Sequence, residues 1–368
     1  MAENAPAPIR MRGAGYYSEH TAGAKRVIDA AIPLVLGAIG RMDLSASAAP
    51  FAIADYGAAD GGTSIALHHA LIAELRSKTG RPITITHTDL PHNDFSSLFR
   101  LLHGLLPGRE SLGLADLPGV FSFASGTSFH RRIFPDGTVS LGFSATAMHW
   151  LSRLPATLAE HVHAVGAEGA ALAAFRAQAA ADWNTILLAR ARELAPGGRL
   201  VLANFCIDAD GHYLGWTGGR NMHATFAKHW RGLRAAGAIT AEEERRATFP
   251  QFYRSPAEFS APFEDAASEV RRAGLRLEDC FTRVTACPYA EAFRVGQPAA
   301  EFARAYVPTL RSWSESMFAG ALDPARPETE RAAIIDRFYA AYEADVAAAP
   351  EGHGMDYVHC FMTIAKDV

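Results

Sequence analysis

Short apolar runs recur along the chain, separated by glycine turns and by stretches of helical spacing. The run FAIAD (51–55) enters a turn containing Gly57, Gly61 and Gly62, and then Thr63, Ser64 and the apolar-rich IALHHALIAEL. A hydrophobic run broken by glycines and followed by a helical pattern reads as strand, tight turn and helix, the first unit of an open α/β sheet. Such a turn frees backbone N–H groups at the helix start and lets a ligand approach the main chain closely. PITITHTD (82–89) is rich in β-branched residues and predicts a second strand with Asp89 at its tip. GVFSFASG (119–126) predicts a third, emptying into Thr127, Ser128 and Phe129, and TVSLGFSA (138–145) a fourth, delivering Ser144, Met148, His149 and Trp150. RLVLANFC (199–206) is continuously apolar, as in a strand buried on both faces. LRLEDCFTRV (275–284) resumes the strand pattern, and the alternating MDYVHCFMTIAK (355–366) closes the chain.

Helical spacing covers residues 22–40 and 169–195, the latter stopped by Pro196, Gly197 and Gly198. An amphipathic helix over 301–318 is expected to be interrupted at Pro308, and another follows over 331–346. The strand–helix alternation fails between 207 and 270, where His212, Tyr213, Trp216 and Trp230 mix with the charged segment AEEERR. That shift predicts an inserted cap over 207–270 and a core of 1–206 plus 271–368, with 1–50 as an N-terminal lid and helix.

Composition narrows the classes of ligand. In 368 residues, 49% hydrophobic content is ample for a buried core, and the formal net charge of -4 comes with no block of like charge. A nucleic-acid or membrane partner is therefore not expected, and the ligand is a small molecule. Cys206, Cys280, Cys287 and Cys360 form no CxxC pair, which fits a reducing cytoplasm. The Pro/Ala-rich start MAENAPAPIRMR reads as a loose lead-in, and the longest apolar stretch is interrupted by Asp29 and Pro33.

Among chemical motifs the absences are informative. There is no H-E-x-x-H, no G-x-S-x-G and no P-loop, and pairs such as His68-His69 or His161-x-His163 have no nearby cysteine or acid at ligand spacing. No metal site is expected. An acid at the tip of a second strand accepts hydrogen bonds from ribose hydroxyls, and ligands of open α/β sheets bind beyond the carboxyl ends of the strands. Asn93 and Asp94 are available to cap the following helix, leaving Asp89 free for a ligand. The segment MRGAGYYSEHTAGAK (11–25) is a loop able to cover the site. NAD and S-adenosylmethionine both suit this pattern.

Four segments, in order, resemble the SABATH family of S-adenosylmethionine-dependent carboxyl methyltransferases, plant enzymes acting on salicylate, benzoate, jasmonate and xanthines, with bacterial relatives. The family's D-L-G-C-S-S-G-P-N-T resembles Asp55 to Ser64, and N-D-L-P-x-N-D-F resembles Thr88 to Phe95. G-S-F-Y-x-R-L-F-P is similar to Thr127 to Pro135, and S-L-H-W-L-S-x-x-P to Ala147 to Pro155. The resemblance implies a Rossmann-like class I methyltransferase sheet, α/β with helices on both faces and an inserted, mainly helical cap. It also implies a homodimer with S-adenosylmethionine as cofactor.

By that resemblance Asp55, Gly57, Asp89, Leu90, Ser128 and Phe129 hold the cofactor, with Ala58, Asp60, Gly61, Thr63 and Ser144 around them. Tyr17 and Thr21 match a segment that closes over it. His149 and Trp150 face the substrate, with Thr146, Trp216 and Trp313 as further pocket wall. The implied reaction is an in-line displacement giving a methyl ester of a small aromatic or apolar carboxylic acid. Such an acid arrives ionised, so positioning and desolvation suffice and no residue acts as acid or base. Where the family carries a Gln that grips the carboxylate, this chain has Ala24, and the neighbouring Lys25 is the expected cationic substitute. Losing that Gln leaves a second reading open, N- or phenolic O-methylation with His149 as base. A third is a silent protein that binds the cofactor or an acid.

Overall fold

Apolar runs of period two become a single seven-stranded sheet in the computed structural model, which describes Met11 and residues 15–45, 47–106 and 113–368. The lead-in at residues 1–10 and 12–14 lies outside the described residues. The strands are β1 (Phe51–Tyr56), β2 (Ile83–Asp89), β3 (Val120–Gly126), β4 (Val139–Ala145), β5 (Leu194–Phe205), β6 (Leu275–Thr285) and β7 (Tyr357–Lys366). Their order is β3-β2-β1-β4-β5-β7-β6, parallel except for β7, which runs antiparallel to both neighbours. The chain reverses direction across the sheet between β1 and β4, so a crevice opens at the carboxyl ends of those strands.

The helices are α1 (Tyr16–His20), α2 (Ala22–Gly40), α3 (Ile65–Lys78), α4 (Phe95–Leu102), α5 (Gly169–Glu193), α6 (Met222–Ala235), α7 (Ala241–Arg246), α8 (Pro256–Glu264), α9 (Glu269–Arg272), α10 (Pro288–Arg294), α11 (Ala299–Ala321) and α12 (Glu328–Ala348). Strand alternation sorts the core into two faces. Tyr357 and Phe361 of β7 join α2, α3 and α11, whereas Val358, Cys360, Met362 and Ile364 join Trp183, Ile186 and Leu187 of α5. Local signals fix several helix starts. Asp94 caps α4 through Ser97 N (3.0 Å), and capping boxes open α7 at Thr240 and α8 at Ser255.

One expectation changes. α11 runs unbroken through Pro308. A proline inside a helix costs about 3 kcal/mol, but Phe302, Tyr306, Leu310, Trp313 and Phe318 are buried on both sides of it, each contributing about 1.5–3 kcal/mol. The helices of 207–270 also do not pack on one another alone. α6 packs on α12 and α7 on α11, with Trp230 against Phe318 (4.9 Å) and Phe338 (5.4 Å), while α8 and α9 lie against β6 and α5. No helix among the described residues is long and apolar enough to cross a membrane.

Candidate active site

Beyond the carboxyl ends of β1, β2 and β4 lies a cleft of ≈ 220 Å³. Tyr17, Gly57, Ala59, Asp89, Leu90, Ser128, Phe129, Thr146 and Trp150 contribute to its wall. Gly57 has φ +81, and a Cβ there would lie 2.5 Å from the Ala147 Cβ, so only glycine admits this turn. Ala59, at φ 49, is held in the left-handed region from both sides. Its N–H donates to Asp89 Oδ2 (2.8 Å), and its carbonyl accepts from Asn93 Nδ2 (2.8 Å). Leu90 N donates to Asp89 Oδ1 (2.7 Å). Burial pushes the Asp89 pKa up, and these two N–H groups only partly reverse it. Each carboxylate oxygen takes one of these two bonds and keeps acceptor capacity for a further donor.

The loop bearing Ser128 and Phe129 is fixed by a buried ion pair at the end of α5. Arg190 donates to the carbonyls of Phe129 and Arg131 (2.8 Å each), and Glu193 Oε1 accepts from Ile133 N (2.5 Å). The two side chains bond each other at 2.7 and 2.8 Å, and Glu193 also accepts from Tyr56 OH (2.8 Å). An acid beside a turn with no room for side chains, facing an aromatic loop, suits a nucleoside-bearing ligand.

A second cavity of ≈ 40 Å³ adjoins the first and shares Met11, Tyr17, Thr146 and Trp150 with it. Its remaining wall is Thr21, Ala24, His149, Phe205, Leu214, Trp313, Met355 and Tyr357, mostly apolar. A Cβ at Gly23 would lie 2.1 Å from Tyr357 Cε2, so the glycine is what lets that ring lie against α2. Burial raises the Tyr17 pKa to about 12 and pulls that of His149 well below 6.5, so both are neutral near pH 7. His149 Nδ1 and Trp313 Nε1 are buried with no hydrogen-bond partner.

Several expected site residues lie elsewhere. Asp55 turns into the core, where Ser64 Oγ donates to it (3.0 Å). Asp60 accepts from Ser18 N (3.1 Å) and Ser18 Oγ, tying α1 to the glycine turn. Ala58, Gly61 and Thr63 stand outside the cleft wall; a Cβ at Gly61 would strike Leu98 at 2.4 Å. Ser144 spends its hydroxyl on the Tyr56 carbonyl (2.7 Å), joining β4 to β1. Thr21 lines the smaller cavity and bonds the Tyr17 carbonyl (2.7 Å). Lys25 is half-exposed and paired with Asp29 (2.6 Å), so it does not replace a Gln; Ala24 is the residue that faces the cavity. Trp216 lies tilted against Tyr213 (5.3 Å) and lines a separate hollow with Arg220 and Arg294.

Sequence reading missed Ala59, Phe205, Leu214, Met355 and Tyr357. Only Phe205 and Tyr357 carried a usable signal, an aromatic at the β5 carboxyl end and one at the β7 start, which meet above the sheet. His68 acquires in space an acid that its sequence neighbourhood lacks. His68 Nε2 and His87 Nδ1 each lie 3.4 Å from Asp55 Oδ2, a grouping that the sequence order does not reveal.

Over residues 9–366 the chain matches the family described as SAM dependent carboxyl methyltransferase. Loganic acid O-methyltransferase of Catharanthus roseus is 26% identical over 74% of this chain and 73% of its own length. Indole-3-acetate O-methyltransferase 1 of Arabidopsis thaliana is 27% identical over 59% and 61%, and Methyltransferase LUC1 of Fusarium sp is 30% identical over 53% and 51%. These last two alignments thus span only about half to three-fifths of the relatives they match. A solved loganic acid methyltransferase with SAH superposes with a TM-score of 0.76 at 20% identity, covering 98% of this chain and 99% of that one.

Proposed function

Since the chain belongs to the S-adenosylmethionine-dependent carboxyl methyltransferase family, we propose that it forms the methyl ester of a small aromatic or otherwise apolar carboxylic acid. The observation that carries this reading is the contiguity of the two cavities through Tyr17, Thr146 and Trp150. A donor and an acceptor that must meet in line need such adjoining compartments. Asp89, Leu90, Gly57, Ser128 and Phe129 hold the cofactor, which when bound supplies an electrophilic methyl group on a sulfonium. His149, Trp150, Thr146 and Trp313 line the acceptor side. The acceptor carboxylate is already ionised near neutrality, so the chain supplies position and a dry, apolar wall and no base. The Trp150 indole N–H donates to the carboxylate, without the amide partner that Ala24 cannot provide. We include in the proposal a homodimer in a reducing cytoplasm, a setting supported by four cysteines all free.

The test is transfer of labelled methyl from S-adenosylmethionine to a panel of aromatic acids, fatty acids, phenols and xanthines, followed by mild alkali. Label released as methanol is the expected result. Label that resists alkali favours the second reading, methylation of a ring nitrogen or phenol, for which neutral His149 with its unpartnered Nδ1 is the available proton acceptor. Tight cofactor binding with no turnover on any acceptor would leave a silent binding protein.

A further inference from the structure

A buried cluster beneath the glycine turn has the geometry of a metal site. Asp55 of β1 and His87 of β2 are direct cross-strand neighbours, and His68 enters from the start of α3. His68 Nε2 and His87 Nδ1 each lie 3.4 Å from the same oxygen, Asp55 Oδ2, and the candidate ligand atoms all fall within 4.8 Å of one another. Both imidazoles are fully buried; one nitrogen of each faces Asp55 at 3.4 Å, longer than an ordinary hydrogen bond, and the other two nitrogens have no hydrogen-bond partner.

The spacing fits a shared ion better than a pair of ordinary hydrogen bonds. An N–H···O hydrogen bond holds its heavy atoms at about 2.7–3.2 Å, and leaving buried imidazole nitrogens without partners costs about 1–3 kcal/mol each. Two ligands bound at about 2.0–2.1 Å around a tetrahedral ion stand roughly 3.3 Å apart, which is the separation found here on both sides of the carboxylate. Two imidazoles and one carboxylate form a donor set of the zinc type, unlike the all-oxygen shells of magnesium or calcium. Ser64 Oγ, donating to Asp55 Oδ2 at 3.0 Å, supplies the outer hydrogen bond that orients a ligating carboxylate.

We propose that Asp55, His68 and His87 bind one divalent transition-metal ion of the zinc type. The ion joins β1, β2 and α3, the three elements that frame the turn carrying Gly57 and Ala59 to the cleft. Because the site is sealed, the ion enters as the chain folds and resists chelators afterwards, acting as a structural clamp on the turn.

The experiment uses the full chain, unfolded in guanidinium with chelator and refolded with zinc, with cobalt or with neither, then freed of loose metal. Retention of about one zinc per chain, and for cobalt the intense visible absorption of a tetrahedral site, is the expected result. Both should be lost in His87→Gln and His68→Gln and kept in His212→Ala, which disables the partly exposed Asp208, Asp210 and His212 cluster. The wild-type measurement stands even if the buried variants fail to fold. Wild-type chain that refolds to full cofactor binding while retaining no metal overturns the proposal. So does metal that disappears with His212→Ala, since it then sits in the partly exposed loop.

Discussion

The Ala59 N–H and the Asp89 carboxylate meet at 2.8 Å, binding the tightest point of the glycine turn to the tip of β2. Asp89 therefore has two duties, one toward the turn and one toward the ligand. Asp89→Ala is expected to weaken S-adenosylhomocysteine binding roughly 10- to 100-fold, the loss of about 1.5–3 kcal/mol associated with a charged hydrogen-bond acceptor. Burial raises the Asp89 pKa above the ordinary 3.8, so the proton competes for the carboxylate earlier than in water. Affinity should fall on acidification at a higher pH than an exposed aspartate titrates. Isothermal calorimetry over a pH series checks both, and unchanged affinity in the variant would remove Asp89 from the ligand site.

The positions of Lys25 and Trp150 separate two ideas about how an acceptor carboxylate is held. Lys25 is paired along the helix with Asp29 on the surface, an arrangement worth about 0.3–0.5 kcal/mol, and it has no part in the cavity wall. Lys25→Ala should leave kcat/KM within about 2-fold of wild type. Trp150→Phe keeps an aromatic wall for both cavities and removes only the indole N–H, so acceptor KM should rise or kcat fall while cofactor affinity stays close to wild type. Steady-state kinetics paired with cofactor titration distinguishes them. A large loss from Lys25→Ala would reinstate the cation as a carboxylate partner.

What the sequence made legible was what local pattern controls. Continuous or alternating apolar runs marked each strand, because burial on one or both faces writes its period into the residues. Gly57, Asp89 and the Ser128-Phe129 loop were readable because a turn, a strand tip and a strand exit place them whatever else packs nearby. Lys25 and Ala24 were not, since which of two adjacent helical residues faces inward depends on Gly23 seating the Tyr357 ring, a contact from the far end of the chain. The inward partners of Asp55 are hidden for the same reason: His68 and His87 are its neighbours only after β1, β2 and α3 assemble. The helix through Pro308 and the packing of α6 on α11 and α12 follow from aromatic contacts that no single window contains.

Arg190 and Glu193, completely buried at the end of α5, hold the backbone of residues 129–134 at the cleft. Removing one member leaves the other's charge in the interior without its counter-ion, at a cost of about 3–5 kcal/mol. Arg190→Ala should therefore lower stability in urea by that amount and also free the Phe129 and Arg131 carbonyls. Glu193→Gln keeps much of the shape and should cost less, while still lowering cofactor affinity through the loosened loop. Equilibrium unfolding together with cofactor titration reads both effects. Cofactor affinity unchanged in a folded Glu193→Gln protein would show that the loop holds its shape without the pair.

Glu243 gives the cap a stability that depends on acid. It is buried at the start of α7, and Arg326 binds it through two nitrogens (2.6 and 2.8 Å). Asp323 N (2.9 Å) and Thr240 N (2.7 Å) add backbone donors. Burial alone would raise its pKa, but these partners outweigh it and bring the value from 4.5 down to about 2. A carboxyl depressed on folding contributes stability that is fully present above its unfolded pKa and is lost as pH falls through the folded one. The contribution, of order 3 kcal/mol, should therefore be complete above about pH 5 and drain away between pH 4.5 and 2. Glu243→Gln should be less stable at pH 7 by an amount of that order and should lack this share of the acid dependence. Urea unfolding of both proteins across pH 7 to 3 makes the comparison, with every other carboxylate common to the two curves. Parallel curves would mean that Glu243 titrates alike in the folded and unfolded chains, and that the clamp between α7 and the α11–α12 connection does not depend on its charge.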